Sequence, residues 1–181
     1  MQTLLLPELT IPDHVTETPL GRITVPGLAI PQRMLVIDPV VIRELIERAR
    51  LATETAYNNF PAVIFPVGAS CIMADDGEAQ IFSAANCENG VLNTGMCAER
   101  SLLHYVAAQG FRRIKYLAVS TLHNHRDISL RSPCGACRQT IAEFADDDTL
   151  VLIDHQTPGK LCDIVDINRL LPWRYRLETK D

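Results

Sequence analysis

No basic block, no membrane-length apolar run, no internal repeat and no low-complexity segment occurs in these 181 residues. Each absence removes a class of function. The formal net charge is −5, with 17 Lys+Arg against 22 Asp+Glu, so a polyanion such as DNA finds little attraction and no nucleic-acid partner is expected. No stretch reaches the roughly 20 apolar residues that span a bilayer, so no membrane partner is expected either. The opening MQTLLLPELTIPD has a short apolar run but no basic flank and no small-residue cleavage site, which is not the pattern of a signal peptide. The expected location is therefore cytoplasmic. There the six cysteines, Cys71, Cys87, Cys97, Cys134, Cys137 and Cys162, serve metal binding or catalysis rather than a disulfide framework.

What is present suits one packed domain: 47% of residues are hydrophobic and 22% charged. Residues 1–37 hold five prolines (Pro7, Pro12, Pro19, Pro26, Pro31) between short β-prone pieces such as RITV and GLAI. They read as an extended arm packed on its own or a neighbouring subunit, outside a domain at 38–181. Asp38 and Pro39 then open a helix over VVIRELIERARLATETA. AVIFPVGASCIMA, the turn ADDG and AQIFSAAN read as a β-hairpin, and MCAERSLLHYVAAQG as an amphipathic helix closed by Gly110. YLAVSTL is a strand, CGACRQTIAEFA a helix, LVLID a buried strand, and KLCDIVDINRLLP a strand entering a last helical turn. The order predicts an α/β fold, a three-layer α/β/α arrangement with a mixed five-stranded sheet.

SPCGACRQ, at 132–139, carries two cysteines that a helix start turns to one side. That spacing alone serves a redox pair, half a structural zinc site or part of a catalytic one. Cys97 opens another predicted helix and supplies a third thiol. Three protein ligands leave a tetrahedral zinc one open position, as in catalytic sites. Glu99, two residues on, is a carboxylate able to move a proton without ligating the metal. Ligand-x-Glu followed by PCxxC is the pattern of zinc deaminases. Arg100 and Arg138, close to these ligands in sequence, offset the negative charge that three thiolates collect. Cys71 and Cys162 read as core residues, and HNH at 123–125 as a polar loop.

With these motifs in order, AY (56–57), FPVGAS (65–70), NCEN (86–89), CAER (97–100), SPCGACRQ, EF (143–144) and LLP (170–172), the chain resembles the cytidine deaminases of the small homotetrameric type. The resemblance runs over roughly residues 38–175. It implies one zinc per chain on Cys97, Cys134 and Cys137, with Glu99 as the catalytic proton carrier. It implies Phe65 against the base, Asn86 and Glu88 on the ribose hydroxyls, backbone around Ala98 at the amine edge, and Tyr175 reaching a neighbour's site. The implied reaction is hydrolytic deamination of cytidine or deoxycytidine to uridine or deoxyuridine in pyrimidine salvage, by a homotetramer or homodimer. The chain departs from the family at Gly90-Val91-Leu92, where an aromatic is usual, at Trp173-Arg174-Tyr175-Arg176, in NNFPAVIF, and in the arm. Two other readings stand beside it: deamination of another aminated heterocycle of the blasticidin type, which those departures would suit, and, from a different class, a non-catalytic zinc-stabilised scaffold or interaction protein. The first would not need Asn86 and Glu88; the second has no use for Glu99.

Overall fold

Proline decides how the N-terminal segment folds. In the computed structural model, which describes residues 1–19, 21–58, 65–74, 80–122, 127–157 and 159–176, this segment doubles back as a two-stranded antiparallel ribbon. Gln2–Leu6 pairs with Arg33–Ile37, Leu9–Ile11 with Leu28–Ile30, and His14–Thr18 with Gly21–Val25. Pro7, Pro12, Pro19, Pro26 and Pro31 all fall between these pieces. A proline has no N–H to donate to a ladder, so pairing stops where each one stands. The chain divides into two compact units, Met1–Pro39 and Val40–Asp181. The turn ADDG beyond Ala74, the tripeptide HNH and most of NNFPAVIF lie outside the described residues.

The second unit is an α/β domain. Its sheet strands are β1 (Val67–Met73), β2 (Ile81–Ala85), β3 (Ile114–Thr121), β4 (Ala145–Thr157) and β5 (Lys160–Asp166). They lie in the order β5-β4-β3-β1-β2. Only β3 and β4 run parallel, and the remaining neighbours are antiparallel. The helices are α1 (Pro39–Ala52), α2 (Ala98–Ala108), α3 (Gly135–Phe144) and α4 (Ile167–Leu170). The helix expected through Ala56 stops four residues earlier and passes into a 3₁₀ turn, Thr53–Thr55. There the Thr53 and Thr55 hydroxyls donate to the Arg50 and Ala52 carbonyls, at 2.6 and 2.9 Å, drawing those groups away from regular helix bonding. The expected strand LVLID proves longer at both ends, Ala145–Thr157.

Alternation along β1 explains the layers. Ala69, Cys71 and Met73 join Leu102, Leu103 and Val106 of α2, Ile141 of α3, and Ile167 and Leu170 of α4 in one buried cluster. The opposite face carries Gly68 and Ser70 and receives α1. Ser70 Oγ donates to the Leu45 carbonyl at 2.6 Å, and a Cβ on Gly68 would collide with the Ala49 carbonyl oxygen. A bulge at Lys115 in β3 lets both Ile114 and Leu117 face the α2–α3 cluster. Helix α2 ends where Gly110 takes a positive φ of 96° and Phe111 N–H reaches back to the Val106 carbonyl at 3.1 Å. These turns leave the N-termini of α2 and α3 side by side at the end of the sheet where β3 ends.

On the α1 face a buried carboxylate ties the layers together. Asp154 of β4 accepts from Arg50 Nε at 2.8 Å and Nη2 at 2.6 Å, and from Ser120 Oγ at 2.7 Å. Burial alone would raise its pKa; the Arg50 and Ser120 bonds outweigh that and hold it below the usual carboxylate range. A depressed folded pKa contributes stability above the unfolded value of about 3.9, and loses it as pH falls through the lower folded value. Asp154→Asn should therefore cost about 3 kcal/mol at neutral pH, the low end for breaking a buried pair because Arg50 is half-exposed. Denaturant titrations should show the gap between wild type and variant constant from about pH 5 to 8 and shrinking below about pH 4. A gap independent of pH would mean that Asp154 is not ionised in the fold.

Candidate active site

Two helices begin on cysteine where a serine or aspartate would be the ordinary choice. Cys97 is the N-cap of α2 and Cys134 the N-cap of α3, and neither side chain caps its helix. Both thiols are therefore left for another task, beside backbone N–H groups that favour negative charge. Cys137 sits buried in the first turn of α3. The three Sγ atoms all lie within 4.8 Å of one another, with Cys97 and Cys134 4.0 Å apart. Thiolates about 2.3 Å from a tetrahedral zinc would stand about 3.8 Å apart. The donor set and its spacing thus fit zinc with little movement.

Electrostatics single out Cys97. Hydrogen bonds from Cys137 and then Cys134, with the charge of Arg100, bring Cys97 down to about 6 against the opposing effect of burial. The Cys137 thiol is pushed up, chiefly because it donates to Cys97 and also because it is buried near Glu99. Burial pushes Cys71 up to about 12 and Cys162 up to about 11, which keeps both as neutral thiols at ordinary pH. Arg138 spans the turn before α3, donating to the Pro133 carbonyl at 2.8 Å, Ser132 Oγ at 3.0 Å and the Leu170 carbonyl at 3.3 Å.

Glu99 lies in the first turn of α2 and is 4% exposed. Burial raises its pKa to about 7, with the neighbouring Cys97 adding and bonds from its own backbone N–H and from Cys137 opposing. It shares a cavity of about 160 Å³ with the three thiols, Phe65, Asn86 and Glu88. A cavity of about 150 Å³ accommodates benzene, so there is room for one six-membered ring. Asn86 holds the far wall: its Oδ1 accepts from Val67 N–H at 2.8 Å, and its Nδ2 donates to the Phe65 carbonyl at 3.1 Å and Glu88 Oε1 at 3.3 Å. Cys87–Glu88 pairs with Tyr57–Asn58, which joins the AY motif to NCEN.

Other expected positions stand apart. Ala98 is fully buried, Arg100 is partly buried, and neither lines the cavity. Tyr175 is 67% exposed and also lies off the lining; its backbone is held by Gln139, which donates to the Tyr175 carbonyl at 2.9 Å and accepts from its N–H at 3.2 Å. Gly90 and Val91 are exposed, and the Leu92 side chain is outside the described residues. The cavity wall also contains Ser132, the first residue of SPCGACRQ, together with Val119, Thr121, Leu130 and Arg131, none of these four foreseen. The only available signal was their place: the end of the strand before SPCGACRQ, and the residues that lead into it.

Comparison with known proteins gives one consistent result. A family model described as the cytidine and deoxycytidylate deaminase zinc-binding region matches residues 41–153. A protein named cytidine deaminase from Sporosarcina psychrophila is 40% identical over 103 residues, 57% of this chain and 69% of its own. Another of that name, from Halalkalibacterium halodurans, is 34% identical over 134 residues, 74% of this chain and 93% of its own. Among solved structures, a cytidine deaminase from Burkholderia pseudomallei superimposes with a TM-score of 0.61 at 30% identity, covering 73% of this chain and 97% of that one.

If the three thiols act as one donor set, purified protein should carry one zinc per chain by elemental analysis. Cys137→Ser should fall to a small fraction of that, whereas Cys162→Ser should retain it. Equal zinc in both variants would place the metal elsewhere.

Proposed function

This chain belongs to the cytidine deaminase family, and from that premise we propose how its cavity removes the amine of cytidine or deoxycytidine, adding water and releasing ammonia with uridine or deoxyuridine. It is a zinc-dependent hydrolase acting on a C–N bond. The observation that carries the mechanism is Glu99: a buried carboxyl with a pKa of about 7, on the wall of the cavity that holds three clustered thiols.

Cys97, Cys134 and Cys137 would hold the zinc, whose Lewis acidity makes a water far more acidic than in bulk. The remaining work falls to the chain's own groups. A carboxyl with a pKa near the working pH exists in both forms, so it can accept a proton from the water and return it. Glu99 passes that proton to the ring nitrogen, takes up the second proton of the added water as the ring carbonyl forms, and delivers it to the departing amine. Burial serves this twice, by raising the pKa and by keeping bulk water from competing for the proton. Phe65 borders the base. Asn86 and Glu88, two residues apart on one wall and bonded to each other, offer an amide and a carboxylate to the ribose diol. That pair favours a nucleoside over a heterocycle without a free ribose. Glu99 has no structural task that a zinc-stabilised scaffold would require.

The working assembly is a homo-oligomer, a homotetramer in this reading. Its support is the C-terminal segment, where Trp173 and Tyr175 stand 66% and 67% exposed while Gln139 fixes the backbone between α3 and Tyr175. Residues 38–181 form the catalytic part, and the arm at 1–37 lies before the family match.

Ammonia release from a panel of aminated nucleosides and bases should show a preference for cytidine or deoxycytidine. Glu99→Gln should lower kcat by about 10²- to 10⁴-fold while zinc content stays at one per chain. Full turnover in that variant, or silence on every pyrimidine nucleoside, would overturn the mechanism.

A further inference from the structure

Arg131 stands three residues before Cys134, in the irregular stretch between a 3₁₀ turn, Ile128–Leu130, and α3. It is 4% exposed and lines the catalytic cavity. Its Nη1 donates to the Asp154 carbonyl oxygen at 2.7 Å, and its Nη2 to Asp163 Oδ2 at 2.9 Å. Both anchors are themselves fixed. Asp163 is also bonded to Lys160, at 2.7 Å. Asp154 is gripped by Arg50 and Ser120, and Gln156 N–H donates to its Oδ1 at 3.2 Å. Both carboxyls sit below their usual pKa range; burial works against this, and their partners outweigh it.

This arrangement is a poor way to gain stability. Buried ion pairs are often matched or exceeded by apolar residues of the same volume. Arg131 is also incompletely satisfied, since its buried Nε has no acceptor among the described residues, which carries a further desolvation cost. What a guanidinium provides and an apolar side chain does not is two directional bonds from one rigid plane. Those bonds run from the turn before Cys134 to β4 and β5. From the other side, Arg138 of α3 holds Pro133 and Ser132. The turn that carries Cys134 is thus clamped at both ends, one clamp reaching the sheet edge and the other its own helix.

We infer that Arg131 is a positioning residue for Cys134: its clamp on β4 and β5 sets where this thiol stands against Cys97 and Cys137, and so sets the affinity for zinc. The inference rests on the reading of those three cysteines as the zinc site. It assigns the bonded series Arg50–Asp154–Arg131–Asp163–Lys160, joined at Asp154 through the backbone carbonyl, a role in the metal centre, although none of the five is among the three thiols.

The test uses Arg131→Met, which keeps volume and loses both bonds, Arg131→Lys, which can keep one, and Asp163→Asn. Zinc dissociation constants come from competition with a chromophoric chelator, and local opening from amide hydrogen exchange of the zinc-free protein. Arg131→Met should weaken zinc by about 10- to 100-fold, the range for residues that support metal ligands. Exchange should rise across residues 128–134 while β1 and α2 stay protected. Arg131→Lys and Asp163→Asn should fall between wild type and Arg131→Met. Affinity within twofold of wild type in a folded Arg131→Met would overturn the inference. So would a loss accompanied by faster exchange across the whole sheet, which is the signature of a merely structural role. Cys137→Ser separates the two readings: if it binds zinc as wild type does, the zinc site itself is misassigned. The exchange result at 128–134 still decides whether Arg131 holds this turn.

Discussion

Everything in the catalytic unit is arranged around a collection of acidic groups in one cavity. Three sulfurs within 4.8 Å and a buried carboxyl are brought to one place. Left to themselves these groups avoid ionising together. Cys97 is drawn down, Cys137 is pushed up, and Glu99 is held near 7. A divalent cation would relieve the repulsion, and two of the proposed ligands, Cys97 and Cys134, are the N-caps of two helices. Replacing a serine or aspartate cap by cysteine gives up about 1 kcal/mol of helix stability at each. The buried faces of α2 and α3 offset that loss, since Leu102, Leu103, Val106 and Ile141 are fully buried.

The rest of the fold supplies stiffness at that place. The parallel pair β3–β4 requires a crossover, and the crossover is α3, so the helix carrying two thiols is fixed by its own connection. Helix α2 reaches the same end of the sheet through packing on β1 and β2. On the opposite face, Gly68 lets α1 approach closely, and Arg50 of that helix then meets Asp154. The polar lattice on one face and the apolar cluster on the other thus bear on the same sheet end from both sides.

The local chemistry of the site was legible in the sequence because it is written in short spacings. CAE and PCGAC each lie within one helical turn, so their geometry follows from helix periodicity and needs only one long-range contact, Cys97 to Cys134. The prolines of the arm were equally readable as breaks in a ladder, although not as a ribbon that folds back on itself. Pairing partners such as Leu5 and Met34 carry no mutual signal in a single sequence. Arg131 and Asp154 were hidden for the same reason. A buried charge looks like a surface charge until its partner is known, and Asp163 lies 32 residues from Arg131 while Arg50 lies 104 from Asp154. The stop of α1 at Ala52 was local and still missed, because the threonine hydroxyls competed with a helical pattern that continues past them.

Asn86 shows how closely structure and recognition are joined. Its amide oxygen accepts the Val67 N–H, and its amide hydrogens reach Phe65 and Glu88. Both of its donors are therefore spent inside the protein, and only one lone pair of Oδ1 remains. Glu88, partly exposed and engaged by Asn86 through Oε1, keeps acceptor capacity on its carboxylate. In the proposed role the wall thus presents acceptors, which suits a pair of hydroxyl donors better than a carbonyl or a phosphate. It follows that the two residues divide the work unequally. Asn86 fixes the entry of β1 and the position of Phe65, so altering it disturbs the cavity as well as the ligand. Glu88 sits at the end of that chain of bonds, where a change reaches the proposed sugar contact with little effect on the strand behind it.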